Sequence, residues 1–368
     1  MLLLAASSAL LPLSASAAKP AVSKSTAAVR AELGRAAVAL LSESASDPDP
    51  ETRTAVATAW GQLANRAAIP FLKRALTDAN PDVRIAAAAS LYRLGEVDGL
   101  TNLIDETKTA GGATPTTPAQ ELRRMARDAA RARAVIKLGE IAGENSRAAL
   151  NSAHQDPAGE VRDAAAIALA RLGDAGAAAP FLSAIADADE SVRASAARSL
   201  GMIGREGRDI LGKLAASDAS MSVRAEACGA LGSFADSESA ALLAAALKDK
   251  SGRVRLAAAR ALARRAEPAS TAALKALLEV APQPELALTA QAGLAERGEE
   301  IDTGLADLTL GQGDPELKSL AVRVLAAARR PEALELLAKA MRQDAASRIR
   351  VEAAAAIVVR LRRIEGPR

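Results

Sequence analysis

Side chains suited to acid–base or nucleophilic chemistry are scarce in this sequence. Its 368 residues include one histidine, His154, and one cysteine, Cys228. A cysteine–histidine pair works only when the two side chains share a hydrogen bond, and these two belong to sequence units two steps apart. The sequence also lacks a zinc-ligand set, a phosphate-binding glycine loop and a nucleophile elbow. We therefore predict no catalytic residues, no metal site and no cofactor.

The most regular feature of the chain is a valine–arginine pair that returns about every 31 residues. A period of this length is typical of stacked helical hairpins. The pairs supply a ladder of arginines, each a few residues after an acidic or polar residue. These arginines are Arg84, Arg162, Arg193, Arg224, Arg255 and Arg350, with Arg53 upstream. A residue that recurs at every step suits a structural role in the stack better than a single binding site.

Each sequence unit contains the signals of two helices. Val192, Ala196, Leu200 and Ile203 are spaced by three and four residues, which places them on one buried face of a helix. A polar residue followed by proline, as at Asn80, Asp156 and Asp314, predicts the start of such a helix. Glycine predicts its end, as at Gly95, Gly173 and Gly204. A shorter amphipathic stretch such as 179–185 supplies the second helix. The sequence predicts an all-α superhelix of nine to ten hairpins over residues 27–363.

These units resemble the HEAT repeat family, especially its short alanine-rich bacterial repeats known from phycobilin lyases. The resemblance lies in an aspartate (Asp187), the valine–arginine pair at 192–193, an alanine run and the closing Leu200 and Gly201. It implies an α-α solenoid whose ladder arginines pair between neighbouring units and whose second helices line the concave side. Deoxyhypusine hydroxylase is built from similar repeats, but one histidine cannot supply its histidine-rich iron site.

Further arginines lie beyond the ladder positions along the second helices, where the resemblance implies a basic stripe on the concave side. They are Arg93, Arg171, Arg198, Arg260, Arg264, Arg265, Arg297, Arg329 and Arg330, followed by Arg362 and Arg363. The formal net charge is only +3, and five residues are aromatic. Nucleic acid binding usually needs a stronger positive field and stacking side chains. We expect a protein partner with an acidic segment and no nucleic acid.

The function predicted from these features is that of a non-catalytic scaffold or adaptor, which binds a partner protein on the concave face. Two alternatives remain open at this point. One is an enzyme or chaperone similar to the phycobilin lyases, and the other is a HEAT-like DNA glycosylase. We expect the protein to be a monomer.

The first 18 residues have the composition of a signal peptide. Leu2–Leu13 is an apolar run, and small residues follow with a candidate cleavage site after Ala17 or Ala18. The run is too short to span a bilayer, and it lacks the usual basic residues at its start. We predict export to the periplasm or medium, with a linker at 19–26 and a tail at 364–368. The alternative is a cytoplasmic protein.

Two local features complete the prediction. Residues 106–120 interrupt the repeat spacing and have loop composition, so we predict an insertion that is either a binding element or a tolerated loop. Thr117 and Gln120 then predict a capping box that opens a helix through about Leu138. Cys228 occupies a small-residue position, which predicts a buried inert thiol, with an intermolecular disulfide as the alternative.

Overall fold

The computed structural model describes residues 26–108, 115–204, 206–280 and 283–365. Throughout these ranges the secondary structure is helical, with twenty α-helices and a few short 3-10 turns and no strand. The predicted all-α fold is confirmed. The predicted signal peptide at residues 1–18 lies outside the described residues.

The helices alternate between two layers. The odd-numbered helices form the outer layer. They are α1 (Thr26–Glu43), α3 (Ile69–Ala75), α5 (Val97–Thr107), α7 (Arg147–Ala153), α9 (Ala179–Ala184), α11 (Arg208–Ser217), α13 (Ser237–Ala246), α15 (Pro268–Val280), α17 (Gly304–Gln312) and α19 (Glu332–Gln343). The even-numbered helices form the inner layer. They are α2 (Pro50–Gln62), α4 (Pro81–Arg93), α6 (Pro118–Ala142), α8 (Gly159–Arg171), α10 (Glu190–Ile203), α12 (Met221–Leu231), α14 (Gly252–Ala263), α16 (Pro284–Glu296), α18 (Pro315–Ala327) and α20 (Ser347–Glu365).

Most of the predicted capping residues lie at helix boundaries. The side chains of Asn80 and Asp314 accept hydrogen bonds from backbone N–H groups in the first turns of α4 and α18. Asp156 differs, because α8 begins at Gly159 and the Asp156 carboxylate instead accepts from the N–H of Ala158 in the preceding loop. At the other end, Gly204 adopts a left-handed conformation with φ of 70° and ends α10.

Small residues allow the inner helices to approach closely. The core is one continuous cluster dominated by alanine, leucine and valine, with Leu200, Leu231 and Leu262 fully buried. A methyl group added at Gly201 of α10 would lie 2.5 Å from the Ala230 Cα atom of α12. Neighbouring inner helices therefore pack backbone against backbone at such positions.

The stack of hairpins closes into a ring. The last inner helix, α20, packs against α18 and α19 and also against α1 and α2 of the first hairpin. Across this seam, Arg348 bridges Glu51 at 3.2 Å and Glu316 at 2.8 Å, and Arg362 donates to the carbonyl of Leu63. Consecutive inner helices contact one another all the way round. The sequence predicted the hairpins but not their closure into a ring of ten.

The interruption of the repeat spacing is shorter than predicted. Helix α5 continues to Thr107 and α6 begins at Pro118, so both ends of the predicted 106–120 loop are helical. Residues 109–114 lie outside the described part. Thr117 and Gln120 form the predicted capping box. The 25-residue helix α6 exceeds the 13 residues of α4 and α8. Its residues 118–127 are exposed apart from half-buried Glu121.

No helix in the described ranges is both long enough and apolar enough to cross a membrane.

Candidate binding site on the inner wall of the ring

The ladder arginines join each hairpin to the next. Arg224 is 5% exposed. Its Nη1 donates to the carbonyls of Asp218 (2.9 Å) and Ala219 (3.2 Å) in its own loop. Its Nε and Nη2 donate to the Asp249 carboxylate of the following hairpin at 2.8 and 3.0 Å. One side chain thus fixes the loop before its helix and the loop of the next repeat.

The other ladder positions vary this arrangement. Arg53 and Arg193 bind Asp78 and Asp218 in the same way, and Arg84 reaches Glu106 instead. Arg162, Arg255 and Arg350 donate to the carbonyls of their own preceding loops.

The structure adds two members that the sequence search missed. Arg131 pairs with Asp156, and Lys318 pairs with Asp344 at 2.9 Å. Neither follows a valine. The spacing of 31 residues from Arg162 back to Arg131 is the signal that could have revealed the first of them.

The predicted basic stripe divides into three groups. Arg265 and Arg297 belong to the first, because both donate to backbone carbonyls at the end of the preceding inner helix. Arg265 is 5% exposed and donates to Leu231 at 3.1 Å, while Arg297 donates to Leu262 at 2.7 Å. Buried Arg360, absent from the predicted set, does the same to Leu325. These guanidinium groups cap helix C-termini, where positive charge is favourable. Arg265 and Arg297 are thus framework residues, which corrects their predicted place on an open binding face.

A second group lies on the rim of the ring. Arg329 and Arg330 are exposed after the end of α18, and Arg330 pairs with Glu300 at 3.1 Å. Arg362 takes part in the ring seam, and exposed Arg363 lies beside it near the end of α20. None of these four occupies the middle of an inner helix.

The third group lies on the inner wall, the surface of the even-numbered helices that faces the centre of the ring. Arg198 pairs with Glu226 of the next inner helix at 2.9 Å, and Arg260 pairs with Glu285 at 2.7 Å. Further pairs of this kind join α4 to α6, α12 to α14, α16 to α18 and α18 to α20. Most charge on the inner wall is therefore neutralised between adjacent hairpins.

Three arginines of this inner-wall group have no carboxylate partner among the described residues. Arg93, Arg171 and Arg264 each stand nine residues after a ladder arginine, so they occupy equivalent places near the ends of α4, α8 and α14. Arg264 donates one hydrogen bond, to the carbonyl of Gly229 at 3.0 Å. These three side chains are the positive charges of the inner-wall group that ion pairs leave available.

A cavity of about 760 Å³ opens on the inner wall between α14, α16, α18, α20 and α2. Its walls are mostly apolar, with Ala59, Ala292, Leu320 and Val359 among them. Arg264 also lines it. Because α2 and α20 belong to the first and last hairpins, the cavity spans the seam of the ring.

Burial and neighbouring charges shift the pKa values of two charged groups that line this cavity. Burial lowers the pKa of Arg264, and the neighbouring cations Arg323 and Arg260 lower it further. On the opposite wall, burial raises the pKa of Glu352. The negative charge of Glu316 raises this pKa further, whereas the positive charge of Arg348 lowers it.

The two residues best suited to nucleophilic chemistry lie outside this cavity. Cys228 is fully buried in α12, and burial raises the pKa of its thiol to about 12. His154 ends α7, two hairpins earlier. Within the described residues, no cluster of three or more histidine, cysteine or acidic side chains could hold a metal ion.

This architecture is that of a protein built from stacked helical hairpins. The family model for HEAT repeats matches residues 8–92, 37–110, 117–207 and 208–295. The chain therefore belongs to the HEAT repeat family. A search of curated protein sequences finds no match.

Two solved structures are among those similar to parts of this chain. Human deoxyhypusine hydroxylase in complex with glycerol is 20% identical, with 73% of this chain and 98% of that chain covered and a TM-score of 0.32. The complex of CpcE and CpcF of phycocyanin lyase from Nostoc sp. PCC7120 is 20% identical, with 73% and 92% covered and the same TM-score. Likenesses at this level carry no functional argument.

Proposed function

We propose that this protein is a non-catalytic scaffold that binds a segment of a partner protein against the inner wall of its ring. The observation that supports this most directly is the division of the arginines. Most are engaged in the framework, whereas Arg93, Arg171 and Arg264 stand at equivalent inner-wall positions without an ion-pair partner among the described residues. An acidic segment would complement them, and charge of this kind sets specificity and speeds association.

The size of the ring limits what can bind inside it. Ten inner helices at the usual spacing form a circle of axes about 30 Å across, which leaves an opening of about 20 Å between helix surfaces. Such an opening admits one helix or an extended chain and excludes a folded domain. The proposed ligand is therefore an exposed acidic tail, loop or helix of the partner.

The environment of Cys228 supports a non-catalytic role for the protein. A thiolate is the reactive form of cysteine, and a thiol with a pKa of about 12 is protonated at neutral pH. Its burial also makes it inaccessible to another chain, which argues against an intermolecular disulfide. We propose that it serves only to pack α12.

We further propose that the protein is exported and monomeric. Export rests on the composition of residues 1–18. A monomer is favoured because α20 and the first hairpin cover each other at the seam. In an open solenoid these two end faces would be free to bind a second copy.

The experiment is affinity capture with matched charge variants. A C-terminally tagged protein is cross-linked in its native cell, and co-purifying proteins from envelope and cytoplasmic fractions are identified by mass spectrometry. The test variant is Arg93→Glu with Arg171→Glu on the inner wall. The control is Lys248→Glu with Arg342→Glu, which makes the same charge change at exposed positions following α13 and within α19.

We expect a stoichiometric envelope protein that is lost from the inner-wall variant and kept by the control. Equal loss from both variants would show that net charge, and not the inner wall, controls binding. A bound pigment or salt-sensitive DNA binding would instead favour the lyase-like or the glycosylase alternative. Recovery from the cytoplasm with an intact N-terminus would contradict export.

A further inference from the structure

A second cavity, of about 540 Å³, opens on the rim of the ring beside the seam. Five arginines from α1, from the ends of α16 and α18 and from α20 line it. They are Arg30, Arg297, Arg329, Arg360 and Arg363. Glu296 is the only carboxylate among the described residues of the lining, and it pairs at 3.0 Å with Arg323, which does not line this cavity. The rim cavity therefore holds a large excess of positive charge.

Two of these arginines are withdrawn from solvent and form no ion pair among the described residues. Arg360 is 7% exposed, and its Nη1 and Nη2 donate to the carbonyls of Leu325 at 3.2 Å and Arg330 at 2.5 Å. Half-buried Arg297 donates to the carbonyl of Leu262 at 2.7 Å. Carbonyl groups satisfy the donors but supply no full counter-charge, which a buried cation normally has.

The other three arginines have no hydrogen-bond or ion-pair partner among the described residues. Arg30 is half-buried on α1, whereas Arg329 and Arg363 are exposed. Arg329 nevertheless lies against the lining, since its Nη2 would be only 2.2 Å from a methyl group at Gly298. Each guanidinium group carries five N–H donors, so this cavity presents many donors that the protein itself does not use.

The charges in the rim cavity also act on one another. Burial lowers the pKa of Arg360, and the positive charge of Arg363 lowers it further. Burial lowers the pKa of Arg297 as well, against the opposing effect of Glu267 and Glu296. A bound anion would relieve this repulsion between cations.

We propose that the rim cavity binds a small anion that carries a phosphate monoester or diphosphate group. Such a group brings two or more negative charges to one place, whereas a carboxylate brings one, and its oxygens match the fork of an arginine side chain. The volume of the cavity falls within the range of roughly 300 to 1,000 Å³ that small-molecule sites occupy. The site lies apart from the inner-wall arginines, so it is additional to the proposed recognition of a protein segment and does not depend on it.

The position of the cavity couples binding to closure of the ring. Arg30 belongs to the first helix, and Arg360 and Arg363 belong to the last. A ligand that contacts both helices binds only to the closed ring, so its binding stabilises closure by mass action.

The test compares pyrophosphate with acetate by isothermal titration calorimetry on the full chain at constant ionic strength. One additional hydrogen bond to a charged group corresponds to roughly tenfold in affinity or more. We therefore expect pyrophosphate to bind at least about tenfold more tightly than acetate. Equal affinities, or no binding of pyrophosphate, would overturn the proposal.

A matched pair of charge variants locates the site. Arg329→Gln with Arg363→Gln removes two exposed cations, so it should leave the fold intact and weaken pyrophosphate binding at least about tenfold. Lys248→Gln with Arg342→Gln makes the same charge change at exposed positions following α13 and within α19, and it should leave the affinity unchanged. Equal weakening in both double variants would show that net charge attracts the anion and would refute the site.

A variant on α1 tests whether the ligand bridges the seam. Pyrophosphate should raise the melting temperature of the unchanged protein, and Arg30→Gln should reduce both the affinity and this rise. Arg35→Gln is the control, since Arg35 is exposed on the same helix and does not line the cavity. An unchanged affinity in Arg30→Gln would contradict the assignment.

The phosphate group could belong to a soluble molecule or to a lipid headgroup. Flotation of the protein with phosphatidylcholine vesicles, with and without phosphatidic acid, distinguishes the two sources. Flotation that requires phosphatidic acid and is reversed by pyrophosphate would assign a lipid headgroup to the cavity. Pyrophosphate binding without flotation would assign a soluble phosphate.

Discussion

At four ladder positions, Arg53, Arg84, Arg193 and Arg224, a single arginine connects its own helix, the loop before it and the next hairpin. Arg224 donates to two carbonyls in the loop before α12 and to Asp249 in the next hairpin. The planar guanidinium permits this because its donors point in several fixed directions at once. Lys318 illustrates the difference, since its single nitrogen reaches Asp344 and makes no described bond to its own loop.

We expect Arg224→Ala to destabilise the protein by about 3 kcal/mol, because it leaves Asp249 without its partner in a mostly buried setting. Urea denaturation followed by circular dichroism measures the change. The control is Arg198→Ala. Its side chain is 59% exposed although it also pairs across repeats, so removing it should cost less than about 1 kcal/mol. Similar losses for the two variants would contradict the structural role of the ladder.

Acid should weaken the ladder. Hydrogen bonds from Arg224 hold the pKa of Asp249 below its ordinary value of 3.8, and Arg53 acts on Asp78 in the same way. A carboxylate with a lowered pKa in the folded state stabilises that state above its ordinary pKa. This contribution is lost as the pH falls through 3.8 towards the folded pKa.

We therefore expect the free energy of unfolding to decrease below about pH 5. In Asp249→Asn this loss of stability in acid should be smaller than in the unchanged protein. Melting curves between neutral and acid pH measure it. Asp163→Asn is a suitable control, since exposed Asp163 makes no side-chain hydrogen bond or ion pair among the described residues. An unchanged acid response in Asp249→Asn would refute this account.

The sequence located the arginines better than it assigned their roles. The ladder positions can be predicted because the repeat is visible in the amino-acid sequence itself. Arg264 and Arg265 are neighbours in the chain, yet one lines the inner wall and the other is buried against the Leu231 carbonyl. A helix turns by about 100° per residue, so neighbouring side chains point in different directions. Which of the two reaches the end of α12 depends on how α14 packs against α12, and no sequence pattern records that packing.

At the scale of the helices, close approach of the inner layer depends on glycine. Gly61, Gly201 and Gly293 each lie so close to a neighbouring inner helix that there is no room for a methyl group. Such contacts shorten the spacing between hairpins and bring the ladder arginines within reach of the next loop.

We expect Gly201→Ala to destabilise the protein by about 1 to 3 kcal/mol, because its methyl group would force α10 away from α12. Gly229→Ala is the matched control. A methyl group at Gly229, within α12, would meet nothing within 4 Å, so it should stabilise the protein by up to about 1 kcal/mol through helix propensity. Thermal melting of the two variants gives the comparison. Stabilisation by both would show that the helices are more loosely packed than described.

Helix boundaries were largely predictable because capping is local. Asn80, Asp314 and the glycines at 95, 173 and 204 act at the positions expected from a few neighbouring residues. The start of α6 at Pro118 also followed from the predicted capping box. The helical state of Glu106 and Thr107 did not, and there Glu106 pairs with Arg84, 22 residues away. No local sequence pattern records a contact between residues this far apart.

At the scale of the whole molecule, closure of the ring depends on contacts between its first and last helices. Leu361 of α20 is 7% exposed and faces Gly34 of α1. No sequence pattern predicts this contact, because it results from a small rotation repeated at every hairpin.

We expect Leu361→Asp to open the ring, because a charged side chain cannot remain unpaired in the buried seam. Small-angle X-ray scattering should then show a larger radius of gyration and maximum dimension, with the helical circular dichroism signal retained. Leu308→Asp on α17, where the side chain is 57% exposed, should leave the scattering unchanged. An unaltered radius of gyration in Leu361→Asp would argue against closure.

The ring also constrains how this protein can vary. An open solenoid gains or loses a repeat and merely becomes longer or shorter, since its units contact only their neighbours. Ten hairpins that meet end to end each turn the chain by about 36°. At the same angle, an eleventh hairpin would overlap the first, and a chain of nine hairpins would leave a gap in the ring. The copy number is therefore set by geometry, and duplication or deletion of one hairpin should be tolerated only if every other junction changes its angle.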